Sequence, residues 1–212
     1  MENPVIIFGA NALGRSAQEI FNSHDIMVYC FLDDNASLHG QEYNEVTVLG
    51  NTDDDGYLKY IGKKCQAFVA EDNNKARKSL VKMLNDNRKV MPVNAIHSDA
   101  NVSANAHLGH GNFINNGVVI SNNAKIANHC LIHSGAIIDF EVEIGDLVQI
   151  GAGSVIGSEV KIEEEVFIGT GVTIVPGVTI GKGARIGAGS VVVNSINKGD
   201  TVFGNPAKSI EN

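Results

Sequence analysis

From Val102 onward every sixth position is aliphatic. Val102 and Leu108 are followed by isoleucine at 114, 120, 126, 132, 138, 144, 150, 156, 162, 168, 174, 180 and 186, and the series ends on Val192. Two positions before most of these residues stands a small or β-branched one, such as Ala106, Val118, Cys130, Ser154 or Val172. Asn112 is the one strongly polar intruder in that second series. A period of six matches neither a helix of 3.6 residues per turn nor the two-residue alternation of a flat strand. It suits short strands joined by corners, three to a coil of 18 residues, stacked as a parallel β-helix. With strands about 4.8 Å apart, five or so coils make a prism roughly 25 Å tall. Each inward isoleucine contributes about 1.5–3 kcal/mol when fully buried. Glycines at 145, 151, 157, 169, 181 and 187 directly follow the stacked isoleucine, where a corner needs positive φ or close backbone approach.

Residues 1–94 follow a different pattern. Short apolar runs (PVIIFG, MVYCFLDD, EVTVLGN, QAFVAE) predict strands, and RSAQEIFNSHD and NNKARKSLVKMLNDN show helical spacing, the latter with Leu80, Val81 and Leu84 on one face. Alternation of the two predicts a small α/β domain with a parallel sheet. The expected organisation is therefore an α/β domain over 1–94 and an all-β left- or right-wound parallel β-helix over 95–212.

Composition narrows the partners. The formal net charge is −8, and the 16 Lys and Arg residues form no block. That excludes a nucleic-acid surface, which needs clustered cations, and favours a small molecule. No apolar run approaches the length of a membrane span and the first residues lack a signal-peptide pattern, so a cytoplasmic protein is expected. The three cysteines, Cys30, Cys65 and Cys130, have no metal-ligand spacing and read as reduced, buried thiols, so no metal is expected.

The candidate chemistry lies in four stretches. GANALGR at 9–15 places Gly9 and Gly14 between a strand and a helix whose free N–H groups favour an anion. The same letters approach a nucleotide-triphosphate loop with Arg15 in place of lysine, which keeps a nucleotide-binding alternative open; Asn11 stands where a dinucleotide fingerprint wants glycine. FLDDN at 31–35 ends the second strand on Asp33 and Asp34. IIDFEVEI carries Asp139, Phe140 and Glu141, and VFGNPAKSI closes the chain. His97, His107, His110 and His129 read as turn or surface residues, and Glu163, Glu164 and Glu165 as a solvated corner.

Together with NAIHSDANVS at 94–103, these pieces resemble, in order and over almost the whole chain, the sugar acetyltransferases of the sialic acid O-acetyltransferase and bacillosamine N-acetyltransferase type. The resemblance implies a left-handed β-helix, against the general right-handed crossover rule. It implies a homotrimer with sites between adjacent prisms, acetyl-CoA as acyl donor lying along the prism, and a nucleotide-sugar held by the N-terminal domain through Gly9, Asn11, Gly14, Arg15, Asp33 and Asp34. It also implies a pantetheine track past Gln149, Ser158, Thr170 and Ala188, and a histidine base paired with an acid, with no covalent acyl-enzyme. Phe140, Gln149 and Leu13 occupy the positions of three family histidines. Phenylalanine accepts no proton, which withholds about 10²–10⁴ in rate unless another group acts. His133 is the expected replacement, with Glu141 as its acidic partner. A catalytically degenerate homologue that binds ligand without turnover is the alternative.

Overall fold

The computed structural model describes residues 3–210, and the chain folds as two compact units, Met1–Ser98 and Asp99–Asn212. In the first, β1 (Val5–Phe8), α1 (Ala12–Ser23), β2 (Val28–Leu32), β3 (Glu42–Tyr43), β4 (Val46–Gly50), α2 (Asp55–Leu58), β5 (Gln66–Val69) and α3 (Asn74–Arg88) follow in chain order. The sheet runs β3-β4-β2-β1-β5; all pairs are parallel except the β3–β4 hairpin. That hairpin turns at Asn44 and Glu45, both at positive φ (46° and 66°), the conformation whose twist suits a two-residue connection. Every residue of β1 is buried, as an inner strand covered on both sides requires. One side packs Ile6, Phe8, Cys30 and Leu32 with Leu58, Ile61 and Leu84. Phe21 of α1 meets Phe68 edge-on, ring centroids 5.7 Å apart. α1 begins three residues before the predicted stretch because Asn11 caps it, its side chain accepting from the Gly14 N–H.

The second unit is a left-handed parallel β-helix whose two-residue strands form three faces. Face one stacks 101–102, 119–120, 137–138, 155–156, 173–174 and 191–192; face two stacks 107–108, 125–126, 143–144, 161–162 and 179–180. Face three stacks 113–114, 131–132, 149–150, 167–168 and 185–186 and continues into 201–203, with Lys208–Ser209 folded back antiparallel. Up to the last coil each strand pairs with the one 18 residues on, Ile120 with Ile138 and Ile138 with Ile156 for example, and 185–186 then pairs with 201–202. The expected inward column is present: every member from Ile114 to Val192 is buried, and only Val102 and Leu108, in the first coil, are half-buried. The polar members of the second series satisfy the backbone. Asn112 donates to Ala127 O (2.9 Å) and accepts from Cys130 N–H (2.8 Å), and Ser154 Oγ donates to Gly169 O (2.9 Å).

The corners separate two demands that the sequence pattern had merged. Gly181, just after Ile180, has ordinary φ, but a Cβ there would lie 2.5 Å from Lys198 N on the next coil. Gly183, two residues on, has φ +68° and open space around it. Non-glycine residues hold the equivalent left-handed position in other coils, including Asn123, His129, Glu141, Leu147, Glu159 and Glu165. His129 is thus a turn residue at a corner, as expected, and is buried there, only 6% exposed. The glutamate run is engaged with the coil above: Lys182 N–H donates to Glu163 (2.7 Å) and Lys182 Nζ to Glu164 (2.6 Å).

The pairing of Gly181 with Gly183 gives a direct test. Gly183→Ala meets only the conformational cost of about 1–2 kcal/mol for a left-handed residue with a Cβ, whereas Gly181→Ala forces two coils apart. Thermal unfolding should show Gly181→Ala lowering the midpoint well beyond Gly183→Ala, and equal shifts would refute the close-approach account.

Candidate functional site

The N-terminal unit carries a cavity of about 310 Å³ lined by Phe8, Gly9, Asp33, Asp34, Thr52, Glu71, Ala76, Ser79 and Leu80. It opens at the carboxyl ends of β1, β2, β4 and β5, where parallel sheets place their ligands. β1 is followed by β2 on one side and has β5 on the other, so the strand order reverses beside this cavity. Asp33 Oδ2 accepts from the Ala10 N–H (2.8 Å) and Oδ1 from Asn35 N–H (2.9 Å). Asp34 Oδ1 accepts from both the amide (2.8 Å) and the hydroxyl (2.9 Å) of Thr52.

Of the expected substrate residues, Gly9, Asp33 and Asp34 line the cavity; Asn11, Gly14 and Arg15 do not. Asn11 bridges the strand ends, donating to Ala70 O (2.8 Å) while capping the helix. Gly14 is required by packing, since a Cβ would sit 2.0 Å from Gly9 O. Arg15 donates to Ala10 O (3.3 Å) and lies over the Tyr43 ring, 4.8 Å from its centroid. Two of the N–H groups expected to be open to an anion at this turn, those of Ala10 and Gly14, are taken by Asp33 and Asn11, and the Asp33 carboxylate stands beside them.

On the β-helix a second cavity of about 310 Å³ lies at the corner between faces three and one. His133, Ser134, Gln149, Gly151, Ala152, Phe167, Gly169 and Thr170 line it. His133, Gln149 and Thr170, three of the expected residues, thus share one space. Ala188 stacks one coil above Thr170, with the Gly189 N–H donating to Thr170 O (2.8 Å). His133 is half-buried, its ring 6.1 Å from that of Phe113.

Glu141 and Ser158 are elsewhere, at the corner between faces one and two. Ser158 Oγ donates to Asp139 Oδ2 (2.8 Å), while Asp139 Oδ1 accepts from the Phe140 N–H (2.8 Å). Phe140 projects from this corner, 55% exposed. Glu141 turns toward face two and shares a cavity with Asn123, Lys125, Glu143, Glu159 and Lys161. There Glu143 pairs with Lys125 (2.9 Å) and Lys161 (3.7 Å); the Lys125 hydrogen bond lowers the Glu143 pKa and raises that of Lys125. Within one chain, then, His133 and Glu141 do not form the expected pair. The two occupy different corners of the same coil because a run of eight residues carries the chain across face one. The Asp139–Ser158 bond was missed in the sequence; its signal was a spacing of 19, one coil plus one residue.

Burial pushes the Cys30 thiol up to about 12, with Cys65 adding to the effect, and all three cysteines are buried and outside any disulfide. They are packing residues with no nucleophilic part. Among the described residues no group of three or more His, Cys, Asp or Glu side chains is placed to hold a metal, and no helix is long and apolar enough to cross a membrane.

These two units match two known families. Residues 4–84 match the PglD N-terminal domain and residues 159–194 the bacterial transferase hexapeptide (six repeats). No curated protein matches the sequence. Among solved structures, the GDP-perosamine N-acetyl transferase of Caulobacter crescentus, a variant with one histidine changed to alanine and in complex with CoA and GDP-perosamine, is 29% identical. The match covers 100% of this chain and 99% of that one, with a TM-score of 0.91. The acetyltransferase domain of PglB from Neisseria gonorrhoeae, in complex with acetyl coenzyme A, is 26% identical over 99% of this chain and 100% of its own (TM-score 0.90). WeeI from Acinetobacter baumannii is 25% identical over 98% and 99% (TM-score 0.84). Fold and domain order define a hexapeptide-repeat transferase. More narrowly, the chain shares its fold and domain order with these sugar N-acetyltransferases, and residues 4–84 match an N-terminal domain of the PglD type.

The Asp33 network can be checked apart from any ligand. Asp33→Ala leaves the Ala10 and Asn35 amides without their acceptor and should cost about 1–3 kcal/mol by denaturant unfolding. Asp33→Asn, which keeps an acceptor, should cost less.

Proposed function

We propose that the protein transfers an acyl group, as acetyl, from acetyl-CoA to an amino group of a nucleotide-linked sugar in surface-glycan synthesis, acting as a homotrimer. One observation carries the assembly. Face one presents the outward ladder Val119, Ile137, Val155, Thr173 and Val191, with Ile137 40% and Val155 37% exposed, whereas face two presents lysines and glutamates. Three copies packed by face one about a threefold axis parallel to the prism bury this ladder. Such a ring is heterologous, so each copy sets one corner of face one against the other corner of its neighbour. The His133 cavity of one subunit then faces the Asp139–Phe140–Ser158 corner of the next, at the same height, because both lie in one coil. His133, Gln149 and Thr170 line the cavity at one of these corners, and Ser158 and Asp139 lie at the other.

The chemistry follows from that arrangement. The amine nitrogen attacks the thioester carbonyl, the carbon–nitrogen bond forms, and the tetrahedral oxyanion collapses with cleavage of the carbon–sulfur bond. His133 accepts the ammonium proton and returns one to the leaving CoA thiolate, so acids, bases and electrons balance without an acyl-enzyme. Asp139, immediately beside face one and already fixed by Ser158, is better placed than Glu141 to orient the neighbour's His133. Gln149, Thr170 and Ala188 border the donor's path, and the cavity at Asp33 and Asp34 takes the nucleotide-sugar. An amine acceptor suits a corner that carries Phe140, because a neutral amine needs less base assistance than a hydroxyl does. Three cysteines outside any disulfide fit a reducing compartment, the cytoplasm.

Subunit mixing tests the shared site. His133→Ala and Asp139→Asn should each be nearly inactive in a free-thiol release assay with acetyl-CoA and an amino-sugar nucleotide. Refolded together one to one, they should recover about a quarter of wild-type activity, since random assembly joins an intact His133 to an intact Asp139 at one interface in four. No recovery would mean that the two residues act within one chain or not at all. Ile137→Asp should yield monomers by light scattering, with the activity lost; a stable trimer would remove face one from the interface.

A further inference from the structure

The outward ladder of face three reads Phe113, Leu131, Gln149, Phe167, Arg185 and Thr201 in register. Arg185 is its only cation. Phe113 and Leu131 are buried and Gln149 and Phe167 half-buried, whereas Arg185 is exposed. Its guanidinium lies over the Phe167 ring, 4.5 Å from the centroid, and it makes no ion pair among the described residues. Lys182, also in the upper coils, behaves differently and is committed to Glu164. Phe167 belongs to two places at once. One coil below Arg185 it lines the cavity that holds His133, Gln149 and Thr170.

An arginine stacked on a ring is held in place without spending its N–H donors, which stay directed at solvent in the planar fork that suits phosphate oxygens. It stands two coils, about 10 Å, above Gln149 along the axis. A donor whose thioester lies beside His133 and whose arm rises with the prism brings its phosphates toward this level. With a net charge of −8 the surface on balance repels a polyanion, so a cation held in a fixed orientation on this face is the more notable; Lys208, on the strand folded back at the top of the same face, is exposed beside it.

We propose that Arg185, held by Phe167, is the phosphate-recognising residue for the acyl-CoA donor, gripping either the pyrophosphate or the 3′-phosphate. This rests on the transferase reading above, which supplies the donor. As a positioning contact remote from the reacting atoms, it should act on donor affinity and leave turnover at saturating donor near wild type.

Calorimetric titration of the full-length protein with CoA and with 3′-dephospho-CoA tests it. Arg185→Gln should weaken CoA about tenfold or more, and Arg185→Lys should restore part of that loss, because a point charge remains while the fork and the stack do not. Phe167→Leu should reproduce part of the loss by freeing the guanidinium. An equal loss for dephospho-CoA assigns the pyrophosphate; a loss seen with CoA alone assigns the 3′-phosphate. Unchanged CoA affinity in Arg185→Gln, with the wild type binding normally, overturns the assignment and leaves the transferase reading standing. Absence of CoA binding by the wild type overturns both.

Discussion

The vertical stacking of one aliphatic side chain on the next, 18 residues along, is the constraint from which the β-helix follows. Ile120, Ile138, Ile156 and Ile174 are successive members of one column, and their neighbours on the other two faces repeat the pattern. No strand here exceeds three residues, too short for any of them to be stable alone. Each is held because its coil buries the same atoms as the coils above and below. A shift of one residue would turn every column outward, so the register is fixed as strongly as the core is apolar. The placement of every corner, and of whatever chemistry a corner carries, is inherited from it.

That inheritance explains how residues distant in sequence meet. His133, Gln149 and Thr170 share a cavity because they differ by about one coil each and lie near one edge. His133 and Asp139, six residues apart, are separated by the full width of a face. Proximity in this architecture is counted in eighteens. The α/β unit obeys a different rule: Gly9, Asp33, Thr52 and Glu71 meet because four parallel strands end at one level, with the sheet order reversing beside β1.

The repeat was legible because its signal is periodic, and sixteen positions in fixed phase leave little else to consider. The strands and helices of the first unit were legible from apolar runs, although α1 began earlier than its hydrophobic spacing implied because the cap residue Asn11 is polar. What resisted reading was the direction of side chains at corners. Glu141 and Asp139 flank Phe140 symmetrically in the sequence, but Glu141 sits at positive φ and turns toward the lysines of face two, while Asp139 is tied to Ser158. The glycines at Gly9 and Gly14 suggested an anion site; the close strand-to-helix approach also requires them, and one amide of the turn, that of Ala10, is taken by Asp33. His129 holds a turn, but its burial was not legible, because a histidine at a corner looks the same in sequence whether or not it faces water.

Each rung of this prism touches only the rungs next to it, and its height is a multiple of one unit. Removing or duplicating 18 residues would change the span between His133 and Arg185 by one step, about 5 Å, without turning any edge. Such a molecule carries its own ruler. Descent with modification can match the length of the grip to the length of a bound chain by counting whole steps, while the packing that makes the ruler stays as it was.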